Sequence, residues 1–426
     1  MSANWETLWD EIEKAGNVER YVQQQLELKG FVVKRRATDT LSTRELENYK
    51  KELKTEALEK RKLKKEAWQA YRATHIVHLG TSIYWSDDSS HDRWDLQDAE
   101  KRLLENQLPP LTQVKHLTTA LNLSIPQLRS LCYQRDATTD THYRRFEIPK
   151  RSGGLRAIWA PRPQLKKAQR WILREILDRM LVHGAAHGFL AGRSIVTNAA
   201  QHTNSQVIVK LDIKDFFPSI SWRRVKGVFR KAGYREQIAT LLALLCTESP
   251  REVVSHEDKT YYVALGERCL PQGAPTSPAL TNILCLQLDR RLTGIAQKFG
   301  WCYSRYADDL TFSFPQDTAE TSNISHLLGS IQRVMTDEGF SVNMKKTHVI
   351  RAGNVQEVTG LLVNGQHAPR VSRTKKRQMR AAIHNLQQQK PLPEGESRER
   401  LMGYAAFIAM TDRPLGQQMI HALMAL

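Results

Sequence analysis

Apolar residues recur along this chain at two spacings, and the switch between them marks out its elements. At helical spacing, Leu165 to Met180 sets Trp171, Ile172, Ile176 and Met180 on one face beside Lys166, Lys167 and Arg170, which predicts an amphipathic helix. Leu117, Leu121, Leu123, Ile125, Leu128 and Leu131 predict two short helices joined near Asn122-Leu123-Ser124, with Ser124 capping the second and Pro126 in its first turn. Tyr143 to Lys150 and Leu155 to Ala160 flank Arg151-Ser152-Gly153-Gly154, a β-hairpin whose glycines supply the positive φ of a tight turn. Gln206 to Ile213 is a mostly apolar strand, Trp301 to Phe314 reads as two strands around Ala307-Asp308-Asp309, and the tail from Val371 to Leu426 is helical. Thr43 to Ala73 has no Gly or Pro and is dense in Lys and Glu, which predicts a long exposed helix. Its charges interleave, as in Glu56, Glu59, Lys60 and Lys64, which favours a solvated helix over an RNA-binding arm.

The 426 residues are 41% apolar and 25% charged, enough for a sizeable core and too apolar for wholesale disorder. Sixty-three Lys plus Arg against forty-five Asp plus Glu leave a formal charge of +18, which points to a polyanionic partner, nucleic acid foremost. Apolar runs such as Ile238 to Cys246 fall well short of the roughly 18 residues of a membrane span, and the first residues carry no basic-then-apolar signal. A soluble, cytoplasmic protein with no membrane partner is expected. Cys132, Cys246, Cys269, Cys285 and Cys302 form no Cys-x-x-Cys pair and are expected to be reduced and mostly buried.

The sharpest chemical signal is Tyr306-Ala307-Asp308-Asp309, two adjacent carboxylates in the turn of an aromatic, β-prone hairpin. Adjacent carboxylates repel, so a turn that presents both is stabilised by a divalent cation. A third carboxylate, Asp212, ends the apolar strand Val207 to Leu211 at a sheet edge. Three carboxylates holding two Mg²⁺ ions about 3.5–4 Å apart are what in-line phosphoryl transfer needs. Lys150 and Arg156 flank the Gly153-Gly154 turn, where they can close over a triphosphate. Arg370 to Arg380 is dense in cations and nearly free of acids, so phosphate binding is the better reading for Arg373, Lys375, Lys376, Arg377 and Arg380.

These residues resemble the reverse transcriptases. Asp212 with Asp215-Phe216-Phe217, then Leu270-Pro271-Gln272-Gly273-Ala274-Pro275-Thr276-Ser277-Pro278, then Tyr306-Ala307-Asp308-Asp309 are similar to successive palm motifs of that family, in order. Gly339 to Thr347 resembles the lysine-bearing motif that follows, and Ile148 to Arg156 the fingers hairpin. Asn198-Ala199-Ala200-Gln201-His202 and Val358-Thr359-Gly360 match motifs of the bacterial retron branch. The resemblance covers about Leu111 to Leu426 and implies an α+β right-hand polymerase: fingers over 111–205, palm with an antiparallel sheet over 206–365, basic helical thumb over 366–426. Residues 1–110 would be an extra, mostly helical extension.

By the same resemblance, Asp212, Asp308 and Asp309 are the catalytic metal ligands for Mg²⁺, with Mn²⁺ as a substitute. Lys346 protonates departing pyrophosphate, with Lys345 its alternative. Lys150, Arg156, Asp215, Phe216, Phe217 and Gln272 hold the nucleotide, Phe217 as a ring that leaves no room for a 2′-hydroxyl. Asn198, His202, Val358, Thr359 and Gly360 handle RNA; from spacing alone a hydrogen-bonded structural His202 is equally open, and a zinc ligand is disfavoured. The implied activity is copying of a cognate structured RNA from dNTPs, primed by an RNA 2′-hydroxyl, into a short 2′,5′-linked RNA–DNA product. A nearby-encoded effector, host RNase H and a part in phage defence are implied partners and context. The alternatives are a reverse transcriptase of another branch, such as that of group II introns, and a catalytically idle RNA-binding scaffold.

Overall fold

The computed structural model describes residues 5–28, 38–39, 41–84, 98–149, 153–317, 323–393 and 395–425. The chain divides into two compact units, residues 1–74 and 75–426. The described residues of the first form three helices, α1 (Trp5–Ala15), α2 (Val18–Leu28) and α3 (Thr43–Thr74). The division falls at residue 74, and Ile76, Leu79, Ile83, Leu103 and Leu108 pack into the core of the second unit.

The second unit has eleven described strands: β1 (Ala137–Thr138), β2 (Tyr143–Pro149), β3 (Leu155–Pro161), β4 (Ser205–Asp212), β5 (Arg251–His256), β6 (Lys259–Ala264), β7 (Cys302–Tyr306), β8 (Asp309–Pro315), β9 (His348–Arg351), β10 (Glu357–Val358) and β11 (Leu361–Leu362). Strands β7, β8, β4 and β9 form, in that order, an antiparallel sheet. Its two faces follow from period-two alternation. Val207, Val209 and Leu211 pair across β4–β8 with Phe314, Phe312 and Leu310, and all six enter the large helical core. Ile208 points the other way, into a second core shared with Val358, Leu361, Met379, Leu401 and Ile408.

Helices Trp222–Ala232, Glu236–Cys246, Ser277–Leu284, Leu286–Lys298 and Ile324–Asp337 supply residues to the large core. The apolar run Ile238 to Cys246 is buried along its whole length in one of them. The hairpin β2–β3 forms as expected, with Gly153 and Gly154 at φ +87° and +78°. The helix pair is Val114–Leu121 and Ile125–Cys132, and Ser124 and Gln127 form a reciprocal capping box. Helices Arg373–Gln387, Arg398–Ala409 and Arg413–Met424 build the second core. Four of the five cysteines are buried, Cys302 partly so, and all are free thiols. No helix among the described residues is long and apolar enough to cross a membrane.

Candidate active site

Strand β4 ends on Asp212, and the antiparallel register sets Asp212 directly opposite Asp309, the first residue of β8. The connection between β7 and β8 is so tight that Ala307 adopts φ +58°, a left-handed conformation costly for a residue with a Cβ. The main-chain N–H of Ile213 donates to the Asp308 carbonyl at 2.9 Å, which fastens this turn to the end of β4. Gly188 lies against the same turn, and a Cβ there would stand 2.7 Å from the Ala307 nitrogen.

Beneath the turn is a buried polar network on the otherwise apolar face of the sheet. Arg305 Nη2 lies 2.7 Å from Asp289 Oδ2, Nε donates to Asp289 Oδ1 at 2.8 Å, and the Tyr303 hydroxyl donates to Oδ1 at 2.8 Å. Arg305 Nη1 donates to Asn282 Oδ1 and to the Ala307 carbonyl, each at 3.1 Å, while Asn282 Nδ2 donates to the Gly188 carbonyl at 2.9 Å. One guanidinium thus links a core helix to the turn that carries Asp308 and Asp309.

Asn343 and Lys346 clasp Asp212. The Asn343 main-chain N–H donates to the Asp212 carbonyl at 2.8 Å, its Nδ2 donates to Oδ1 at 3.1 Å, and Lys346 Nζ donates to Oδ2 at 2.8 Å. It is Lys346, on the 3₁₀ turn Met344–Lys346, that reaches the carboxylate, and the Asp212 hydrogen bond raises its pKa. Burial pushes the Asp308 carboxyl above its usual range, helped by the Asp212 charge and opposed by Lys346 and Arg156. Burial likewise raises Asp309, with the Asp308 charge adding to it, up to about 6. Three carboxylates therefore feel one another at one sheet edge, with Lys346, Arg156 and Lys210 as opposing charges.

Among the described residues no three His, Cys, Asp or Glu side chains are already gathered into a metal cage. The donors nonetheless fit a hard divalent ion: oxygen alone, with Asp308 and Asp309 resisting ionisation chiefly through burial and then through neighbouring carboxylate charge.

Arg156 sits on β3, and its charge acts on Asp308, whereas Lys150 lies outside the described residues. Asp215 takes φ +47° at the start of a turn closed by the Ser219 N–H on its carbonyl. Phe216 is buried and packs on Phe340, and Phe217 is half-buried beside it. The carbonyl of Gln272 accepts from Trp159 N–H at 2.7 Å. Gly273, at φ +120°, has room for β3 only because it lacks a Cβ, which would meet Trp159 O and Ile158 Cγ2 at 2.8 Å.

The expected RNA-handling residues divide. Asn198 and His202 are buried, which removes direct RNA contact from their side chains. The Ser304 hydroxyl donates to Asn198 Oδ1 at 2.7 Å, so His202 Nε2 donates to Ser304 and Nδ1 accepts from Ser313, each at 2.7 Å. Burial holds this imidazole neutral, its pKa lowered to about 3. Val358 is buried in the second core, and Thr359 Oγ1 donates to the Ile195 carbonyl at 3.0 Å. Gly360 is exposed, at φ +84°. In the basic helix, Lys376 pairs with Asp412 at 2.7 Å and Lys375 Nζ sits 3.4 Å from the Tyr404 ring centroid, so both serve the helix packing. Arg373, Arg377 and Arg380 are exposed and share a face.

Asn343, Arg305 and Asp289 were not expected. Asn343 lies inside the lysine-bearing motif, and the sequence shows Arg305 only as a charge on a strand beside the Asp-Asp turn.

Residues 148–388 match the family model described as Reverse transcriptase (RNA-dependent DNA polymerase). The chain is 48% identical over 423 residues to the Retron Mx162 reverse transcriptase of Myxococcus xanthus, covering 97% of this chain and 87% of that protein. It is 41% identical to the Retron Mx65 reverse transcriptase of the same organism, over 75% of this chain and 73% of the relative. It is 32% identical to the Retron Ec86 reverse transcriptase of Escherichia coli, over 75% of this chain and 91% of the relative. Reverse transcriptases use divalent metal ions, in keeping with the carboxylate edge formed by Asp212, Asp308 and Asp309. Sheet edge, motif order and relatives agree: the chain belongs to the bacterial retron reverse transcriptases and is an RNA-directed DNA polymerase.

Proposed function

We propose that this enzyme copies part of a cognate structured RNA into a short single-stranded DNA, with an RNA 2′-hydroxyl as first primer and a 2′,5′-linked RNA–DNA product. The carrying observation is the convergence of Asp212, Asp308 and Asp309 at one strand edge, clasped by Lys346 and faced by Arg156. In this reading the sheet β7-β8-β4-β9 is the palm, the β2–β3 hairpin belongs to the fingers, and the three C-terminal helices are the thumb. Fingers run over 111–205, palm over 206–365 and thumb over 366–426 in this reading, with residues 1–110 as the extension, of which 1–74 form a compact unit of their own.

Asp212, Asp308 and Asp309 hold the divalent cations, two Mg²⁺ or Mn²⁺ in this reading, which when bound activate the attacking hydroxyl and neutralise pyrophosphate. The hydroxyl gives its proton to solvent as its oxygen bonds to the α-phosphorus, and the bond from that phosphorus to pyrophosphate breaks. The chain's own residues do the rest. Lys346 holds a proton 2.8 Å from Asp212, in reach of a leaving group at that edge. Lys150, Arg156 and the backbone at Asp215 and Phe216 hold the triphosphate, Gln272 abuts the templating junction, and the Phe217 ring excludes a ribose 2′-hydroxyl. Arg373, Arg377 and Arg380 offer an exposed cationic face to the duplex, while Asn198, His202, Val358 and Thr359 act on RNA indirectly, by fixing the elements around it. Gly360 is left exposed for direct contact.

A cytoplasmic setting, host RNase H and a neighbouring effector acting in phage defence complete the reading. The test is expression with the native flanking DNA. A short DNA attached to RNA, released by a 2′,5′ debranching enzyme and absent from Asp308→Asn/Asp309→Asn, is expected. Primer extension on an added template without that product would overturn the priming mode alone.

A further inference from the structure

The interleaved charges of α3 separate once they are wound on a helix. Between Thr43 and Glu59 there are four basic residues and five acids; between Lys60 and Arg72 there are six basic residues and one acid. Arg61, Lys65, Trp68 and Arg72 stand four, three and four apart and form one line along the helix. Lys64 and Tyr71, seven apart, form the line beside it. Glu59 and Glu66 each precede a member of the first line by two residues, about 200° round the helix, and so lie on the opposite side. Local sequence alternation thus hides a basic face, while on the other side Lys62 stands between Glu59 and Glu66.

No described side chain of α3 is buried. Trp68 and Tyr71 are 50% and 46% exposed, with ring centroids 6.0 Å apart and planes inclined by only 18°. Two nearly parallel rings held at the surface cost hydrophobic exposure without contributing to a core. Set among cations, they expose aromatic surface inside a positive field. That combination recognises unpaired nucleotides, whose bases have free faces and whose phosphates need counter-charge. A duplex offers phosphates but no free base faces. A membrane-surface helix needs its apolar residues opposite its cations, whereas these rings lie within the cationic face.

We infer that the Lys60–Arg72 half of α3 is a binding strip for single-stranded RNA, with Trp68 and Tyr71 as the base-stacking platform and Arg61, Lys64, Lys65 and Arg72 as the phosphate contacts. The occupant is an unpaired segment of the RNA that the enzyme copies, the polyanion it meets before any DNA exists. This identification of the occupant rests on the proposed function, while the strip itself does not.

The test uses the full-length protein and an unstructured RNA oligonucleotide carrying 4-thiouridine. Irradiation is expected to attach RNA to the tryptic peptide Glu66–Arg72, which contains both rings. Trp68→Ala/Tyr71→Ala is expected to weaken RNA binding about tenfold or more at fixed salt. Lys64→Gln/Lys65→Gln is expected to reduce the slope of log K against log salt by about 1.4. Helicity by circular dichroism stays unchanged, because neither ring is buried. Extension of a DNA primer already annealed to an RNA template stays at the wild-type rate, so a failure of polymerisation is read separately from a failure of the strip. Crosslinks confined to other peptides, or RNA binding within twofold of wild type in the aromatic variant, would overturn the proposal. So would a preference for DNA of the same sequence, for duplex RNA or for anionic vesicles that the aromatic variant abolishes.

Discussion

Arg305 and Asp289 meet at 2.7 Å with neither side chain exposed to solvent at all, directly beneath the turn that carries Asp308 and Asp309. Removing one partner leaves a buried charge uncompensated, so Asp289→Asn or Arg305→Met alone is expected to cost about 3–5 kcal/mol. The double variant Asp289→Leu/Arg305→Met refills the volume without charge and is expected to recover most of that loss in chemical denaturation. It does not restore the hydrogen bond from Arg305 to the Ala307 carbonyl. Polymerisation in the refolded double variant therefore stays low, with kcat affected more than the KM for dNTP. Full activity in a stable double variant would reduce the pair to a packing element.

Lys346 tests the chemistry at the edge itself. Lys346→Ala is expected to lower the single-turnover incorporation rate by about 10²-fold, the usual scale of general acid catalysis. Lys345→Ala is expected to change it little, since it is Lys346 that reaches Asp212. The opposite ranking in rapid-quench measurements would move the proton donor to Lys345.

How much of this was legible in the sequence depends on what carried each residue. Asp212, Asp308 and Asp309 could be read because each stands at the end of an apolar β pattern, and strand ends are where register brings side chains together. Lys376 and His202 could not, because a basic or titratable residue in a helical stretch looks the same whether it faces RNA or a partner within the fold. Only tertiary packing sets Asp412 against the one and Ser304 and Ser313 around the other. The part that Ile76 to Ile83 takes in the large core is hidden for a similar reason: the segment is too short to reveal a core contribution by periodicity. Arg305 was hidden by composition, since a charged residue at an inward strand position is ordinarily evidence against burial.

Gly188 offers a steric probe of the same turn. A Cβ at this position would stand 2.7 Å from the Ala307 nitrogen, so Gly188→Ala pushes on the backbone that aims Asp308 and Asp309. The stability cost is expected to be about 1–3 kcal/mol. A displacement of about 1 Å at a reacting centre can reduce a rate by about 10²-fold. Activity should therefore fall much further than the folded fraction at 25 °C. Parallel loss of the two, measured by circular dichroism and primer extension on one preparation, would show that the glycine serves folding alone.

His202 links the fold to pH. Its imidazole is buried and neutral, with a pKa lowered to about 3 by burial and then by His187, against an ordinary value near 6.5. Between those values the unfolded chain binds a proton that the folded chain refuses, so stability rises with pH and is lost progressively as pH falls from about 6.5 towards 3. At pH 5 this one residue is expected to remove about 2 kcal/mol relative to neutral pH. The loss acts where Ser304 and Ser313 bind it, on the polar face of the sheet that ends in Asp212 and Asp309. His202→Gln has no such titration, and its urea midpoint should be lower than wild type at pH 7.5 yet fall less between pH 7.5 and 5. Equal slopes in the two proteins would place the proton uptake on other groups and leave His202 outside the pH dependence of folding.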